Sequence, residues 1–442
     1  MKLFRHAPLV AALSLALSLP ASAQSLVELY GAARSFDATY QSAKSQFEAA
    51  QAKAAQARAG VLPSAGLVMD ASRTNLANRV EGAPRAETTF GTNSASLSAN
   101  QPLYRPANWI ALEQGKKGVD VALAQLLAAE QDLIMRVSQA YFDVLAAQDS
   151  LTFVRAQKAA VAEQLASAKR NFEVGTSTIT DTREAQARYD LVIAQEIAAE
   201  NDQRVKRIAL DQLVGKSDSQ PKALALPVAL PALQPGNVDD WVAQAQGAHP
   251  GIAQTKLALE VAKLETEKAR TGHKPTLDLY GKYSVSQNNG SALSTIDSRS
   301  NAATIGLTFN VPLFAGFAVQ NRIKETLALE DKASSDLDAT QRAVAQGTRT
   351  AFFGVLSGQG QVKALEAAEA SSQSALDATK LGYQVGVRIN IDVLNSQSLL
   401  FQTKRDLAKA RYDVLLGGLK LRQANGTLKA EDLGPVNALL TQ

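Results

Sequence analysis

The fold turns on Thr304-Ile305-Gly306-Leu307-Thr308-Phe309-Asn310-Val311-Pro312-Leu313. Ile305, Leu307, Phe309, Val311 and Leu313 are apolar, and the positions between them are Thr304, Gly306, Thr308 and Asn310 up to Pro312. Period-2 alternation over about ten residues describes a strand with two different faces. A second such stretch sets Leu277, Leu279, Tyr283 and Val285 against Asp278, Lys282 and Ser284. Two fainter ones set Leu67, Met69 and Ala71 against Asp70 and Ser72, and Ala95, Leu97 and Ala99 against Ser94, Ser96 and Ser98. Strands are therefore expected at about 66–75, 91–103, 277–286 and 302–313. The polar segments 75–89 and 287–301, rich in Gly, Asn, Ser and Arg, read as exposed loops between them.

The rest of the chain reads as helix. No proline lies between Pro106 and Pro221 or between Pro312 and Pro435, whereas Pro221, Pro227, Pro231 and Pro235 crowd together. Proline breaks helices, so the two proline-free spans, rich in Ala, Leu, Gln, Glu, Lys and Arg, favour long ones. In the first, Leu127, Ile134, Val137, Tyr141, Val144 and Leu151 follow coiled-coil spacing, interrupted by Glu130 and Gln148. A helix over 107–172 would run about 100 Å. Gly175 and Gly386 mark turns into return helices at 181–213 and 392–423, and earlier helices are expected at 26–60 and 241–272, ended by Pro63 and Pro275.

The two halves resemble each other. Gln101-Pro102-Leu103-Tyr104 answers Val311-Pro312-Leu313-Phe314, and Ala140-Tyr141-Phe142-Asp143-Val144-Leu145 answers Ala351-Phe352-Phe353-Gly354-Val355-Leu356. Asn171-Phe172-Glu173-Val174-Gly175 answers Gly382-Tyr383-Gln384-Val385-Gly386, and Ala187-Arg188-Tyr189-Asp190 answers Ala410-Arg411-Tyr412-Asp413. This divides the chain into a leader at 1–23, a first repeat at 24–214, a Pro-rich linker at 215–236, a second repeat at 237–425 and a tail at 426–442.

Composition excludes much else. The 442 residues hold no cysteine, so there is no disulfide framework, thiolate metal site, catalytic cysteine or lipidated N-terminal Cys. Of three histidines only His249 and His273 lie outside the leader, and neither has a Glu or second His at ligand spacing. Gly215-Lys216-Ser217 imitates the end of a P-loop, but Leu210 stands where a Gly is required. No catalytic, cofactor or metal site is expected. Lys2 and Arg5, an apolar run over 8–19 and Ala21-Ser22-Ala23 form a secretory signal cleaved near Ala23; without it the formal charge falls from +4 to +2, with no footprint for nucleic acid. No later apolar run reaches the roughly 18 residues of a spanning helix, so a membrane would have to be crossed by strands.

Four strands cannot close a barrel, and lipid does not tolerate open edges. Closure must come from other copies, and three would supply twelve strands around a polar lumen. The expected fold is thus a membrane β-barrel completed by a trimer, joined to long periplasmic helices of coiled-coil character. The segment Tyr383-Gln384-Val385-Gly386-Val387-Arg388-Ile389-Asn390-Ile391-Asp392-Val393-Leu394, followed by Lys409-Ala410-Arg411-Tyr412-Asp413 and Asn425-Gly426-Thr427-Leu428 within this duplicated order, resembles the TolC family of outer-membrane channel-tunnels. The likeness covers about residues 24–436.

That resemblance implies a homotrimer in the outer membrane with its helices in the periplasm, serving a tripartite efflux pump or type I secretion system. It implies docking through a periplasmic adaptor to an inner-membrane pump or ABC transporter, which mainly chooses the cargo. The absence of an N-terminal Cys favours the non-lipidated branch. It also implies an acidic entrance ring at Asp392 and Asn395, where the second carboxylate of the family is an amide here. Arg388 would pair with Thr180 and Asp181, and Tyr383 with Asp181, as a periplasmic latch; Gly175 and Gly386 would mark the adaptor-contact turns. The residues alone also suit Asp392 as a first-turn acid and Asp181 as an N-cap boxed by Glu184. Tyr104, Tyr283, Phe309 and Phe314 would serve as interfacial aromatics, with Tyr104 and Phe314 equally suited to a core at the junction of barrel and helices, and the linker and a partly disordered tail would form an equatorial collar. The competing reading is a soluble periplasmic coiled-coil adaptor or spacer, which leaves four two-faced strands at equivalent positions unexplained.

Overall fold

The computed structural model describes residues 23–441 apart from Val80, Ala83, Leu226, Ala292, Leu293 and Thr295, so the expected leader lies outside it except for Ala23. In order the elements are α1 (Leu26–Phe36), α2 (Ala38–Ala59), β1 (Ser64–Asn78), β2 (Ala86–Tyr104), α3 (Pro106–Glu173), α4 (Ile179–Val214), α5 (Val238–Ala248), α6 (Pro250–Arg270), β3 (Thr276–Asn289), β4 (Asp297–Asn310), α7 (Ala318–Gln384), α8 (Asn390–Ala424) and α9 (Leu433–Asn437). They form two compact units. One holds Lys44–Gln125 and Gly251–Thr340; the other holds the described residues up to Ala43, Leu126–Pro250 and the chain from Gln341 onward.

The first unit carries one antiparallel sheet in the order β1-β2-β3-β4. Its register puts Leu67 opposite Leu97, Leu97 opposite Tyr283 and Tyr283 opposite Ala303, so these side chains share a face. Around them the face is apolar, with Met69 72% and Ile305 81% exposed, and it turns polar toward the far ends of the strands, where Asn93, Gln287 and Arg299 share it. The other face carries Asp70, Ser94, Ser96, Lys282 and Thr304. The strands reach well into the segments expected to be loops, with β2 starting at Ala86 and β4 at Asp297. Polar side chains do not stop a backbone ladder, so hydrophobic alternation marked only the apolar part of each strand. At the other end β4 stops at Asn310 rather than near 313, because Pro312 has no N–H to give. Arg105, just after β2, donates two hydrogen bonds of 2.8 and 2.6 Å to the buried Asp278 carboxylate of β3. In the same unit α3 lies close on α2: a Cβ on Gly115 would meet the Ala57 and Ala54 carbons at 3.1 and 3.3 Å.

The second unit is built around Leu26, Leu29, Ile134, Tyr141, Phe142, Leu210, Leu415 and Leu433, brought from α1, α3, α4, α8 and α9. Phe142 lies against Tyr141 and Tyr412 with ring centroids 5.5 and 5.6 Å away. The Tyr412 hydroxyl donates to Asp149 at 2.5 Å, and burial still pushes that carboxyl above its ordinary range. The Tyr141 hydroxyl donates to the carbonyls of Lys222 and Gln24 at 2.9 and 3.3 Å. Linker, N-terminal segment and tail are stitched by backbone bonds: Lys222 N–H to Gln24, Ala225 N–H to Leu439 and Thr441 N–H to Ala223. The tail expected to be partly disordered is anchored, with Leu428, Leu433, Val436 and Leu440 all buried.

Both single helices expected near the repeat starts are broken. His249 is extended at ψ 120°, as the residue before Pro250 must be. Asp37 is extended at ψ 118°, ends α1 and caps α2 by accepting the Tyr40 N–H at 2.8 Å. Its carboxylate also takes two hydrogen bonds from Arg136 at 2.8 and 2.9 Å, which hold it below the usual carboxylate range. Asp37→Asn keeps the shape and removes the charge; we expect a loss of about 2 kcal/mol at neutral pH, since hydrogen bonds between charged groups are of that order. A depressed folded pKa stabilises above the unfolded value near pH 4 and ceases to do so as pH falls through the folded value. Thermal unfolding of wild type and variant should therefore differ at pH 7 and converge well below pH 4; a gap that persists there would assign the effect to shape instead.

Candidate functional site

Two helical hairpins of the second unit, α3 with α4 and α7 with α8, end in matching turns. In the first, Gly175 has φ +79° and the Thr176 N–H reaches back to the Asn171 carbonyl at 2.8 Å. In the second, Gly386 has φ +80° and the Val387 N–H reaches the Gly382 carbonyl at 2.9 Å. Both are left-handed glycine C-terminal turns that close six residues. Apolar side chains stand out beside them, with Val174 72% and Val387 75% exposed, and Val385 and Ile389 exposed as well.

The turn after Gly175 enters α4 through a capping box one turn earlier than expected. Thr178 is the N-cap and Asp181 the third helical residue, whose N–H donates to the Thr178 hydroxyl at 3.2 Å. One Asp181 carboxylate oxygen accepts from Ser177 Oγ at 2.7 Å, Thr178 Oγ at 2.8 Å and Thr178 N–H at 3.0 Å. Burial works against ionisation here, but these three donors outweigh it and hold the carboxyl below its ordinary value. Asp181 is thus committed to its own helix start, and Glu184 takes no part in the cap.

That commitment changes the latch inferred from the resemblance. Within the chain Arg388 pairs with Asp392, one turn on, at 3.7 Å rather than with Asp181. The Arg388 stem lies over Gly382, where a Cβ would come within 2.7 Å of it, and this directs the head along α8. The Tyr383 hydroxyl accepts from Asn171 Nδ2 at 3.2 Å instead of meeting Asp181, tying the end of α7 to the end of α3. Thr180 is exposed and makes no side-chain hydrogen bond among the described residues.

A buried link between the hairpins is Asn390, which is 1% exposed. Its Nδ2 donates to the Asp181 backbone carbonyl at 3.2 Å, and its Oδ1 accepts from Gln164 Nε2 of α3. It was legible in principle: Asn390, Val393, Leu394, Gln397 and Leu400 recur at helical spacing and all face inward on α8. Around them Leu394 packs with Val161, Leu165, Ala185 and Val192, while Val393 and Leu400 pack with Leu376 of α7.

Of the two expected ring positions, Asp392 lies in the first turn of α8, where an acid also suits the helix dipole. The Asn395 amide oxygen accepts from the Arg188 guanidinium of α4 at 2.9 Å. Both positions therefore carry an arginine neighbour, Arg388 at one and Arg188 at the other. Among the described residues no cluster of His, Cys, Asp and Glu could hold a metal ion, and no helix is long and apolar enough to cross a membrane.

The chain matches the family model described as outer membrane efflux protein over residues 29–216 and 241–427. It is 35% identical over 417 residues to the outer membrane protein TolC of Vibrio cholerae, covering 94% of each chain. It is 31% identical over 430 residues to the alkaline protease secretion protein AprF of Pseudomonas aeruginosa, covering 95% of this chain and 88% of the relative. Among solved structures, the outer membrane protein VceC of Vibrio cholerae superposes with TM-score 0.76 at 19% identity, over 91% of this chain and 96% of that one. The open-state MtrE channel of Neisseria gonorrhoeae does so with TM-score 0.75 at 17% identity, over 92% and 90%. These last two show the fold, and a mostly helical chain with one four-stranded sheet is consistent with a trimeric β-barrel joined to a helical tunnel. With the sheet and the long hairpins already in place, the sequence matches are decisive: this chain belongs to the outer membrane efflux protein family, the TolC-type channels of the outer membrane.

Proposed function

We propose that this protein is a passive exit duct of the outer membrane for efflux and type I secretion, closed at its periplasmic end by contacts between its helical hairpins. The observation that carries the duct is the sheet: one face with a charge-free band from the helix ends to Ala71 and Asn301, the other bearing Asp70 and Lys282 at the same depth, and both edges open. An apolar exterior and a polar interior are what a water-filled barrel in lipid requires. The family consists of passive channels rather than enzymes, with the helical part in the periplasm and with adaptor and inner-membrane pump partners. The relative named for alkaline protease secretion supports a protein cargo among those carried.

For the adaptor we assign the turns at Gly175 and Gly386, supported by the exposed Val174, Val385, Val387 and Ile389 around them. Among the described residues the expected pairings of Thr180, Asp181, Tyr383 and Arg388 are not made within the chain, so for the closed entrance we move this latch to contacts between copies, and add Asn390, Gln164 and Asn171 as the bonds made within each copy. A buried amide holding two partners outweighs an exposed ion pair, which contributes at most about 1 kcal/mol. Asp392 supplies the entrance charge, three per trimer, moderated by Arg388 and Arg188.

Single-channel recording of the purified trimer in a planar bilayer tests this reading. The wild type should show a small cation-preferring conductance, and a folded trimer that never conducts would refute the duct. Asn390→Ala should raise the open population by roughly tenfold or more, since losing two buried hydrogen bonds is worth about 2 kcal/mol. Arg388→Ala should raise it less if only the Asp392 pair is lost; an equal or larger rise would put the main latch between copies. Arg188→Ala should leave the conductance closed but increase the preference for cations, read as a shift of reversal potential in a salt gradient. An unchanged reversal potential would remove Arg188 and Asn395 from the selectivity of the entrance.

A further inference from the structure

All four connections between sheet and helices, at Ser64, Tyr104, Thr276 and Asn310, leave one end of the sheet, and the two hairpin connections lie at the other. Given the outer-membrane reading above, on which this inference rests, the hairpin end faces outward from the cell. The apolar face can then be followed row by row toward that end. On β4 it runs Phe309, Leu307, Ile305, Ala303 and Asn301, and on β1 it runs Ala65, Leu67, Met69 and Ala71. The central strands contribute Ala99, Leu97 and Ala95 of β2 and Leu277, Leu279, Tyr283 and Val285 of β3. No charged residue interrupts it.

The first charge beyond this band is an arginine on both edge strands, Arg299 on β4 and Arg73 on β1. From Phe309 to Arg299 is ten residues, about 34 Å along a strand and roughly 26 Å along the membrane normal at a 40° tilt. That is the height of the apolar band of an outer-membrane barrel. Arg299 therefore stands at the headgroup level of the outer leaflet, with Phe309 at the opposite boundary. Both guanidiniums are exposed, and neither has an ion pair among the described residues. Nearby, Arg85 and Glu87 satisfy each other at 3.1 Å, and Asp297 shares the face of Arg299 without bonding it. Beside Arg299 the small side chains of Ala71 and Ala95 leave a shallow cleft of ≈ 410 Å³, with Met69 and Val285 on its apolar border and Asp70, Asn93, Ser94 and Gln287 on its polar one.

We infer that Arg73 and Arg299 bind the phosphate-bearing headgroup of an outer-leaflet lipid whose acyl chains lie along the apolar band. Guanidinium recognises phosphate through paired, charge-assisted hydrogen bonds, and the charge-free band below provides for the chains of the same molecule. β1 and β4 are the strands that meet when copies close the barrel. Each seam between copies is thus flanked by Arg299 on one side and Arg73 on the other, and the trimer carries three such sites.

Native mass spectrometry of the detergent-solubilised trimer, titrated with bisphosphorylated hexa-acyl lipid A, its dephosphorylated form and inorganic phosphate, tests the assignment. The wild type should retain up to three bisphosphorylated lipids. Dephosphorylation, or the double substitution Arg73→Gln with Arg299→Gln, should weaken retention about tenfold or more, the scale of one charge-assisted hydrogen bond lost. Inorganic phosphate should not compete. Equal retention of the dephosphorylated lipid, or unchanged retention by the double variant as an intact trimer, would overturn the site; competition by inorganic phosphate would make it a free-anion site and overturn the lipid. The lipid comparison on the wild type decides the matter even if the double variant fails to assemble. Conductance recorded on the same preparations separates a failure of this site from a failure of the channel reading.

Discussion

A sheet that ends in lipid with unpaired N–H and C=O groups is not a stable object, because hydrocarbon offers those groups nothing and each one left unmet costs several kcal/mol. The four-stranded sheet of this chain has two such edges, β1 over Ser64–Asn78 and β4 over Asp297–Asn310. Its apolar face calls for lipid while its edges forbid lipid contact. Closure by other copies removes the conflict, and three copies with twelve strands satisfy it. The same requirement explains why the polar face can hold Asp70 and Lys282 without partners in a core: it surrounds water.

The helical hairpins answer a different demand. Long helices with a narrow apolar seam gain stability from neighbours rather than from their own propensity, and the seams here are divided into several small clusters along α3, α4, α7 and α8. One larger cluster gathers α1, the linker and the tail around Tyr141 and Phe142. The turn ends, by contrast, are held by a few polar contacts. A region maintained by Asn390, Tyr383 and an exposed Arg388 to Asp392 pair is one that a partner can rearrange at the cost of a few kcal/mol, while the aromatic cluster stays closed.

Much of this was legible in the sequence because it depends on periodicity. The alternation at Ile305, Leu307 and Phe309 placed β4, and proline spacing placed α3 and α7. What escaped was decided by single contacts. Strand ends at Asp297 and Ala86 were invisible to hydrophobic alternation, since ladder bonds do not need apolar side chains. The break at Asp37 depends on Arg136, 99 residues away in the chain. At the turns, matching residue types with the family placed Arg388, Asp181 and Tyr383 on the right elements but could not say where the side chains turn. Gly382 under the Arg388 stem and Thr178 at the N-cap redirected two of them. Asn390 was missed because an asparagine between Ile389 and Ile391 reads as a cap residue until the inward spacing of Val393, Leu394 and Gln397 is counted with it.

The central claim is that β1 and β4 pair across copies. The chain contains no cysteine, so any disulfide is assignable to the residues introduced. Met69→Cys on β1, combined in turn with single cysteine substitutions along Ala303 to Asp297 of β4, should give covalent dimers and trimers on oxidation in the outer membrane for at least one register, judged by denaturing electrophoresis with and without reductant. Monomer alone at every register, from protein otherwise assembled and membrane-embedded, would contradict closure through these edges and with it the barrel account.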